Sequence, residues 1–297
     1  MVNTLDKSFV TGSSWKPDLF KGKVVFVTGG AGTICRVQVE AMVLLGCKAA
    51  ILGREEKKTI DAAKEIESLV RSPTENDDAD PIVLPLGNID VRNFDQLKNA
   101  VKKTVDTFGH IDYLIAGAAG NFICDFMNLS PNAFKSVIDI DLLGSFNTVK
   151  ACASQLIKNK GSVLFVSATF HYYGVPFQLH VGAAKAGIDA LSNNLAVELG
   201  PLGVRSNCIA PGAIGQTEGF KRLTGTDFEE KSLNKIPLQR LGTTRDIAEA
   251  TVFLFSPAAS YISGSVMVVD GGMWHTGTYF SNNLYPEKLL KSMQSKL

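Results

Sequence analysis

The residues between Val24 and Arg36 carry the most readable chemistry in this 297-residue chain. Val24-Val25-Phe26-Val27 is a β-branched and aromatic run that reads as a strand. Thr28-Gly29-Gly30-Ala31-Gly32-Thr33-Ile34-Cys35-Arg36 follows it as a glycine-rich turn opening a helix. Such a junction aims backbone N–H groups and the positive end of a helix at one point, which suits a pyrophosphate. Gly29, Gly30, Gly32, Thr33 and Ile34 are the candidate contacts. A dinucleotide with a free ribose 2′-hydroxyl usually meets an acid at the end of the second strand, but that strand ends here in Leu52-Gly53-Arg54. A cation in that place suits a 2′-phosphate instead, and Arg36 in the turn offers a second guanidinium, so NADPH is the expected cofactor. Asp90, with Val91 beside it after the third strand, can accept from an adenine amino group. Read as ordinary surface residues, the two arginines would simply be solvated.

The elements that must position these groups alternate along the chain. Strand-like runs at Val24–Val27, Ala49–Leu52, Ile82–Leu86, Tyr113–Ala116, Ser162–Val166, Val204–Ile209 and Val266–Val269 are separated by helical patterns. The helices run from the glycine turn through Leu45, from Glu55 to Val70, from Phe94 to Phe108, from Pro131 to about Ile157, through Ile188-Leu191-Leu195-Leu199, and from Asp246 to Phe255. The rhythm predicts an α/β fold of Rossmann type, a doubly wound parallel sheet between two helical layers, with no linker to divide it. One domain over residues 1–297 is expected, with a polar N-terminal extension of about 20 residues and a C-terminal tail. Ser72 to Asp80 reads as a polar surface loop, and Gly215 to Leu238 as a longer charged excursion of the kind that forms lids.

Hydrophobic content of 45% provides for a large core, and a net charge of +1 removes any global electrostatic case for nucleic acid. Five scattered cysteines without a CxxC argue against a disulfide framework and a structural metal site. No stretch is long and apolar enough to span a bilayer or to serve as a secretory signal. The sequence closes on Ser295-Lys296-Leu297, the address read by the peroxisomal import receptor, which predicts the peroxisome matrix.

With these residues in hand, the chain from about Lys21 to Gly272 resembles the short-chain dehydrogenase/reductases. Further matches are Ala118-Ala119-Gly120-Asn121 after the fourth strand, Pro211-Gly212 after the sixth, and Asp270-Gly271-Gly272. More narrowly it resembles the fungal peroxisomal 2,4-dienoyl-CoA reductases, through Phe122, Asp139-Ile140-Asp141, Ala184-Lys185-Ala186-Gly187 and Thr217-Glu218-Gly219. The departures from the wider superfamily are as informative. Thr33 and Cys35 stand where the second and third turn glycines belong. Ala168 replaces the catalytic serine, Val181 the tyrosine four residues before Lys185, and Asp141 the helix asparagine, so only Lys185 remains of the carbonyl-reducing tetrad.

The resemblance implies NADPH-dependent reduction of a 2,4-dienoyl-CoA to a trans-3-enoyl-CoA, in which the final proton lands on carbon and no phenol is needed. Asp141 and Lys185 are the implied catalytic pair, with Asp141 holding or protonating a water. Asp139, two residues away on a helix and so turned to another side, is expected to be solvated or structural. Lys185, Pro211, Gly212 and Ile214 complete the implied cofactor contacts. Arg54, Arg92, Phe122, Ser130, Pro131, Asn132 and Arg222 are the implied acyl-CoA contacts. His171, Tyr172 and Tyr173 could bond a thioester oxygen or wall the pocket. A homodimer or homotetramer is implied. Two other readings stay open, a different NADPH-dependent acyl-CoA or carbonyl reductase and a non-catalytic nucleotide-binding subunit.

Overall fold

A computed structural model describes residues 4–12, 14–71, 80–217, 219–220 and 236–276. Its seven strands are β1 (Val24–Thr28), β2 (Lys48–Leu52), β3 (Val83–Leu86), β4 (Tyr113–Ala116), β5 (Ser162–Val166), β6 (Arg205–Pro211) and β7 (Val266–Val269). They form one parallel sheet in the order β3-β2-β1-β4-β5-β6-β7. The order reverses between β1 and β4, and the crevice beyond the carboxyl ends of those two strands is where such sheets bind ligands.

The nine α-helices among the described residues are α1 (Ser8–Thr11), α2 (Thr33–Leu44), α3 (Glu56–Glu67), α4 (Phe94–Phe108), α5 (Pro131–Val137), α6 (Gly144–Asn159), α7 (Phe170–Tyr173), α8 (Leu179–Leu199) and α9 (Thr244–Phe255). Every residue of β1 is buried, because both faces of the sheet are covered. Val25 and Val27 join one core with Met42 of α2 and Phe255 of α9. Phe26, one residue out of phase, joins the opposite core with Leu97 of α4, Leu156 of α6 and Ile188 of α8.

Two regions differ from the sequence reading. The expected N-terminal extension is partly core: Leu5, Phe9 and Phe20 are buried beside α2, the Leu5 N–H donates to Glu40, and the Trp15 indole N–H donates to Glu249 of α9. Periodicity favours long elements, so it passed over a segment whose apolar residues are spread across short turns. The single helix expected from Pro131 is broken by a π-helical turn over Ile138–Leu143. The wider turn is held by the Ser145 hydroxyl, which donates to the Asp141 carbonyl, and by close packing of Gly144 on Val91, where an added Cβ would lie 2.5 Å from a Val91 methyl. Arg222, the Ser72–Asp80 loop apart from its last residue, most of the Gly215–Leu238 excursion and the Ser295-Lys296-Leu297 address lie outside the described residues.

Candidate active site

The cofactor end is built where β1 meets α2. Gly29 has φ +72°, a conformation that side chains resist, and its N–H and that of Gly30 both donate to the Leu52 carbonyl at 2.9 and 3.2 Å. An added Cβ on Gly30 would sit 2.7 Å from Ile51, so the turn is pressed onto β2. No side chain caps the start of α2 and its first turn holds no acid, which leaves the helix end suited to an anion. The Thr28 hydroxyl accepts from the N–H groups of Gly117 and Ala118 at 3.2 and 3.4 Å, tying the ends of β1 and β4 together. The departure at Cys35 is absorbed on the inner side. Its buried Sγ lies where a Cβ on Gly117 would come within 2.1 Å, and burial pushes the thiol pKa up to about 12 against the pull of the Lys185 charge. The cradle therefore fits a dinucleotide phosphate with Thr33 and Cys35 in place.

The two arginines expected to clamp a phosphate have different surroundings. Arg36 is held by Glu40 at 2.9 Å and by Glu65 of α3, with only 16% of its side chain exposed, so its charge is spent on carboxylates already in the fold. Arg54 is exposed beyond β2, and its charge reaches Asp90. Asp90 and Arg92, assigned by sequence to two different ligands, are paired with each other. Arg92 Nε lies 2.9 and 3.0 Å from the two carboxylate oxygens, and this pairing is the main cause of a lowered Asp90 pKa. Val91 is buried, and its carbonyl accepts from Asn147 at 3.1 Å. At the end of β6 the Gly212 N–H donates to Val269 at 3.0 Å, an added Cβ on Gly212 would lie 2.4 Å from Asp270, and Ile214 is buried in a bridge to Gly242.

Asp141 and Lys185 do come together. The π-helical turn carries Asp141 inward to full burial, where Oδ1 accepts from the Gly120 N–H at 2.7 Å and Oδ2 stands 3.2 Å from Lys185 Nζ. Lys185, 7% exposed on α8, also donates to the Val166 carbonyl at 2.9 Å, which fixes its ammonium at the end of β5. Asp139 pairs with Lys135 on the outer side of the helix. Val181 is buried against Val137 and Ala184, so an apolar contact fills the place of the absent phenol.

Phe122 is 36% exposed, and its ring stacks on the fully buried imidazole of His180 with centroids 4.2 Å apart. Ser130 caps α5 by accepting from the Ala133 N–H at 3.1 Å, Pro131 follows at the first helical position, and both are exposed with Asn132. His171 and Tyr172 of α7 turn to Asp189 of α8 at 2.8 and 3.3 Å, and Tyr173 faces Thr169 just before α7, so these aromatics are anchored away from Asp141. The sequence reading did not single out His180, which is buried beside Phe122. Its signal was its place directly before Val181, on the helix that carries Lys185. Among the described residues no cluster of three or more His, Cys, Asp or Glu is arranged to hold a metal ion, and no helix is long and apolar enough to cross a membrane.

A parallel seven-stranded sheet, a glycine cradle at its reversal point and a lysine on the helix after β5 define a class. The chain belongs to the short-chain dehydrogenase/reductase family, whose members use a nicotinamide cofactor. The family profile described as Enoyl-(Acyl carrier protein) reductase matches residues 33–274. The chain is 73% identical over 296 residues to a peroxisomal 2,4-dienoyl-CoA reductase of Saccharomyces cerevisiae, named as (3E)-enoyl-CoA-producing, with 100% of this chain and 99% of the relative covered. A peroxisomal 2,4-dienoyl-CoA reductase of Danio rerio is 43% identical over 264 residues, covering 88% of this chain and 85% of the relative. A crystal structure of a short chain dehydrogenase from Bacillus anthracis superposes with a TM-score of 0.73 at 34% identity, covering 89% of this chain and 99% of that one.

Proposed function

We propose that this protein catalyses the NADPH-dependent reduction of 2,4-dienoyl-CoA to trans-3-enoyl-CoA in the peroxisome matrix. The observation that carries the reading is the buried Asp141–Lys185 pair in a site whose phenol and hydroxyl positions hold Val181 and Ala168. Reduction of a carbonyl must end with a proton on oxygen, and this site lacks the usual donor. Reduction of a conjugated dienoyl thioester ends with a proton on carbon, which a carboxylate and a water can deliver. The similarity to dienoyl-CoA reductases supports the same substrate class.

Bound NADPH supplies the hydride. Gly29, Gly30, Gly32, Thr33 and Ile34 would hold its pyrophosphate, Arg54 its 2′-phosphate, and Pro211, Gly212, Ile214 and Lys185 its nicotinamide end. Asp90 and Val91 remain the candidates for the adenine, with Asp90 exchanging its Arg92 pairing for the nucleotide. Lys185 places positive potential where the dienoyl thioester gathers negative charge, and Asp141 holds or protonates the water that delivers the proton next to the thioester. Arg54, Arg92 and Arg222 offer cations to the coenzyme A phosphates. Phe122 and Ser130 to Asn132 line the approach of the acyl and pantetheine arms. Exposed Leu143 and Phe146 on neighbouring helical turns support a homodimer or homotetramer. The last three residues of the sequence would engage the peroxisomal import receptor.

The test is NADPH oxidation followed by absorbance with 2,4-hexadienoyl-CoA, with the product identified by mass and double-bond position. A 3-enoyl-CoA product is expected. Oxidation only with a 2-enoyl-CoA or a ketone substrate would replace the reading, and tight NADPH binding without turnover on any acyl-CoA would favour a nucleotide-binding subunit.

A further inference from the structure

The loop between β4 and α5 holds large apolar side chains out of the core. Phe126 is 69% exposed and Met127 52%, and Phe122 and Ile123 are exposed as well. Surface turns are ordinarily built from Gly, Pro, Asn, Asp and Ser. Asp125 and Asn128 follow that rule, but Phe126 and Met127 occupy the tip between them. Hydrogen bonds hold the tip: the Asn128 and Leu129 N–H groups donate to the Asp125 carbonyl at 3.2 and 3.0 Å, and the Asn128 N–H also reaches the Asp125 carboxylate at 3.1 Å. A clustered apolar surface of this kind marks a binding site, whereas a single exposed leucine would not.

Both ends of the loop are tied to the candidate site. At one end the Gly120 N–H donates to Asp141 at 2.7 Å, so the loop starts at the proposed proton-delivering carboxylate. At the other, Ser130 caps α5, where the pantetheine arm is proposed to pass. Between them the Phe122 carbonyl accepts from Gln178 Nε2 at 3.1 Å, and the Cys124 N–H donates to the Phe177 carbonyl at 3.2 Å. These bonds lay the first half of the loop along the segment leading into α8, whose first residue, Leu179, is another exposed apolar side chain. An extended chain spans at most about 3.6 Å per residue, so Ile123 lies within ~11 Å of Gly120 and Phe126 within ~22 Å. Asp125 is the one charged residue in the sequence from 120 to 130, and it turns to Asn128.

We propose that Ile123, Phe126 and Met127 form an apolar shelf for the acyl carbons beyond the diene, which makes this loop a determinant of chain-length preference. The proposal rests on the dienoyl-CoA reading and deepens it. The distal acyl tail is the part of such a substrate without a polar atom. It leaves the reacting carbons beside Asp141, and the loop that leaves the same point offers the apolar surface it requires. A methylene laid on an open shelf recovers about half of its full transfer free energy, so each one added should raise kcat/KM about twofold.

The test compares 2,4-hexadienoyl-, 2,4-decadienoyl- and 2,4-tetradecadienoyl-CoA, each below its micellar concentration, with NADPH and the full chain. For the unmodified protein kcat/KM should rise with chain length. In the double variant Phe126→Ser with Met127→Ser, and separately in Ile123→Ser, the tetradecadienoyl value should fall about tenfold or more, through KM, while the hexadienoyl value stays within about twofold. The replaced side chains are exposed, so the melting temperature and NADPH affinity should be retained, and both are measured. A flat chain-length profile in the unmodified protein overturns the proposal, and so do equal losses at all three lengths. Equal losses with a smaller particle in light scattering would assign the loop to contact between copies of this chain instead. No NADPH oxidation by the unmodified protein with any of the three would overturn the dienoyl-CoA reading, and the shelf with it.

Discussion

At the scale of single residues, the proposed reaction depends on one buried carboxylate, Asp141, which faces the Gly120 N–H and the Lys185 ammonium. Asp141→Ala removes the group that takes the Gly120 N–H and faces Lys185, so turnover should fall by roughly a hundredfold or more, with NADPH affinity nearly unchanged. Near-native turnover at saturating dienoyl-CoA would eliminate Asp141 as donor or water holder. Lys185→Ala should lower both turnover and NADPH affinity, because the ammonium that faces Asp141 would also hold the nicotinamide ribose. In the proposed function the preference for NADPH is assigned to Arg54, since Arg36 is paired with Glu40 and Glu65. Arg54→Asp should weaken NADPH binding about tenfold or more, the scale of a lost charge-assisted hydrogen bond plus repulsion, while sparing NADH. Equal affinities of the unmodified protein for the two cofactors would refute this, whereas Arg36→Ala should act mainly on stability. The pairing of Asp141 with Lys185 was legible through the family resemblance, because their positions relative to its motifs are local facts. The sequence did not show that Glu65 reaches Arg36 or that Phe122 covers His180, because both contacts join different elements.

At the scale of elements, the strands Tyr113–Ala116, Ser162–Val166 and Val266–Val269 and the helix Phe94–Phe108 lie where apolar runs and periodicity place them. These elements have clear ends: Asn93 accepts from the Asp95 and Gln96 N–H groups, and Gly109 ends α4 at φ +89°. The π-helical turn was not legible, since the extra residue is stabilised by Ser145 and by packing on Val91 rather than by a change of composition. The junction of β1, α2 and β4 shows a second dependence of this kind, where Cys35 occupies space that Gly117 gives up. Gly117→Ala should therefore destabilise the fold by about 1–3 kcal/mol through overpacking, and adding Cys35→Ala should recover most of that loss. Thermal and denaturant unfolding of the two single variants and the double variant measure the coupling. Additive losses would show that the two positions do not share the space.

At the scale of the whole molecule, the N-terminal segment is part of the core, whereas the last residues of the sequence are proposed to act through a receptor. The N-terminal segment is structural: Phe9 is fully buried beside α2 and faces the Arg245 guanidinium at 5.2 Å from its ring centre. Phe9→Ala should cost about 3–5 kcal/mol, the range for emptying a buried aromatic site, and a melting temperature unchanged from that of the intact protein would contradict this packing. The C-terminal residues are proposed to act only as an address. None of the proposed catalytic and cofactor contacts lies beyond Ile214, so hydride transfer should not depend on Ser295-Lys296-Leu297. A receptor reads such a tripeptide as a free chain end, which requires no contact with the rest of the fold. Deleting the three residues should leave turnover on 2,4-hexadienoyl-CoA within about twofold, well below the hundredfold scale of losing a proton-transfer group. The same deletion should move a fluorescently tagged protein from peroxisomes to the cytosol. Retention in the organelle would show that another segment carries the address, and loss of turnover would show that the tail contributes to the site.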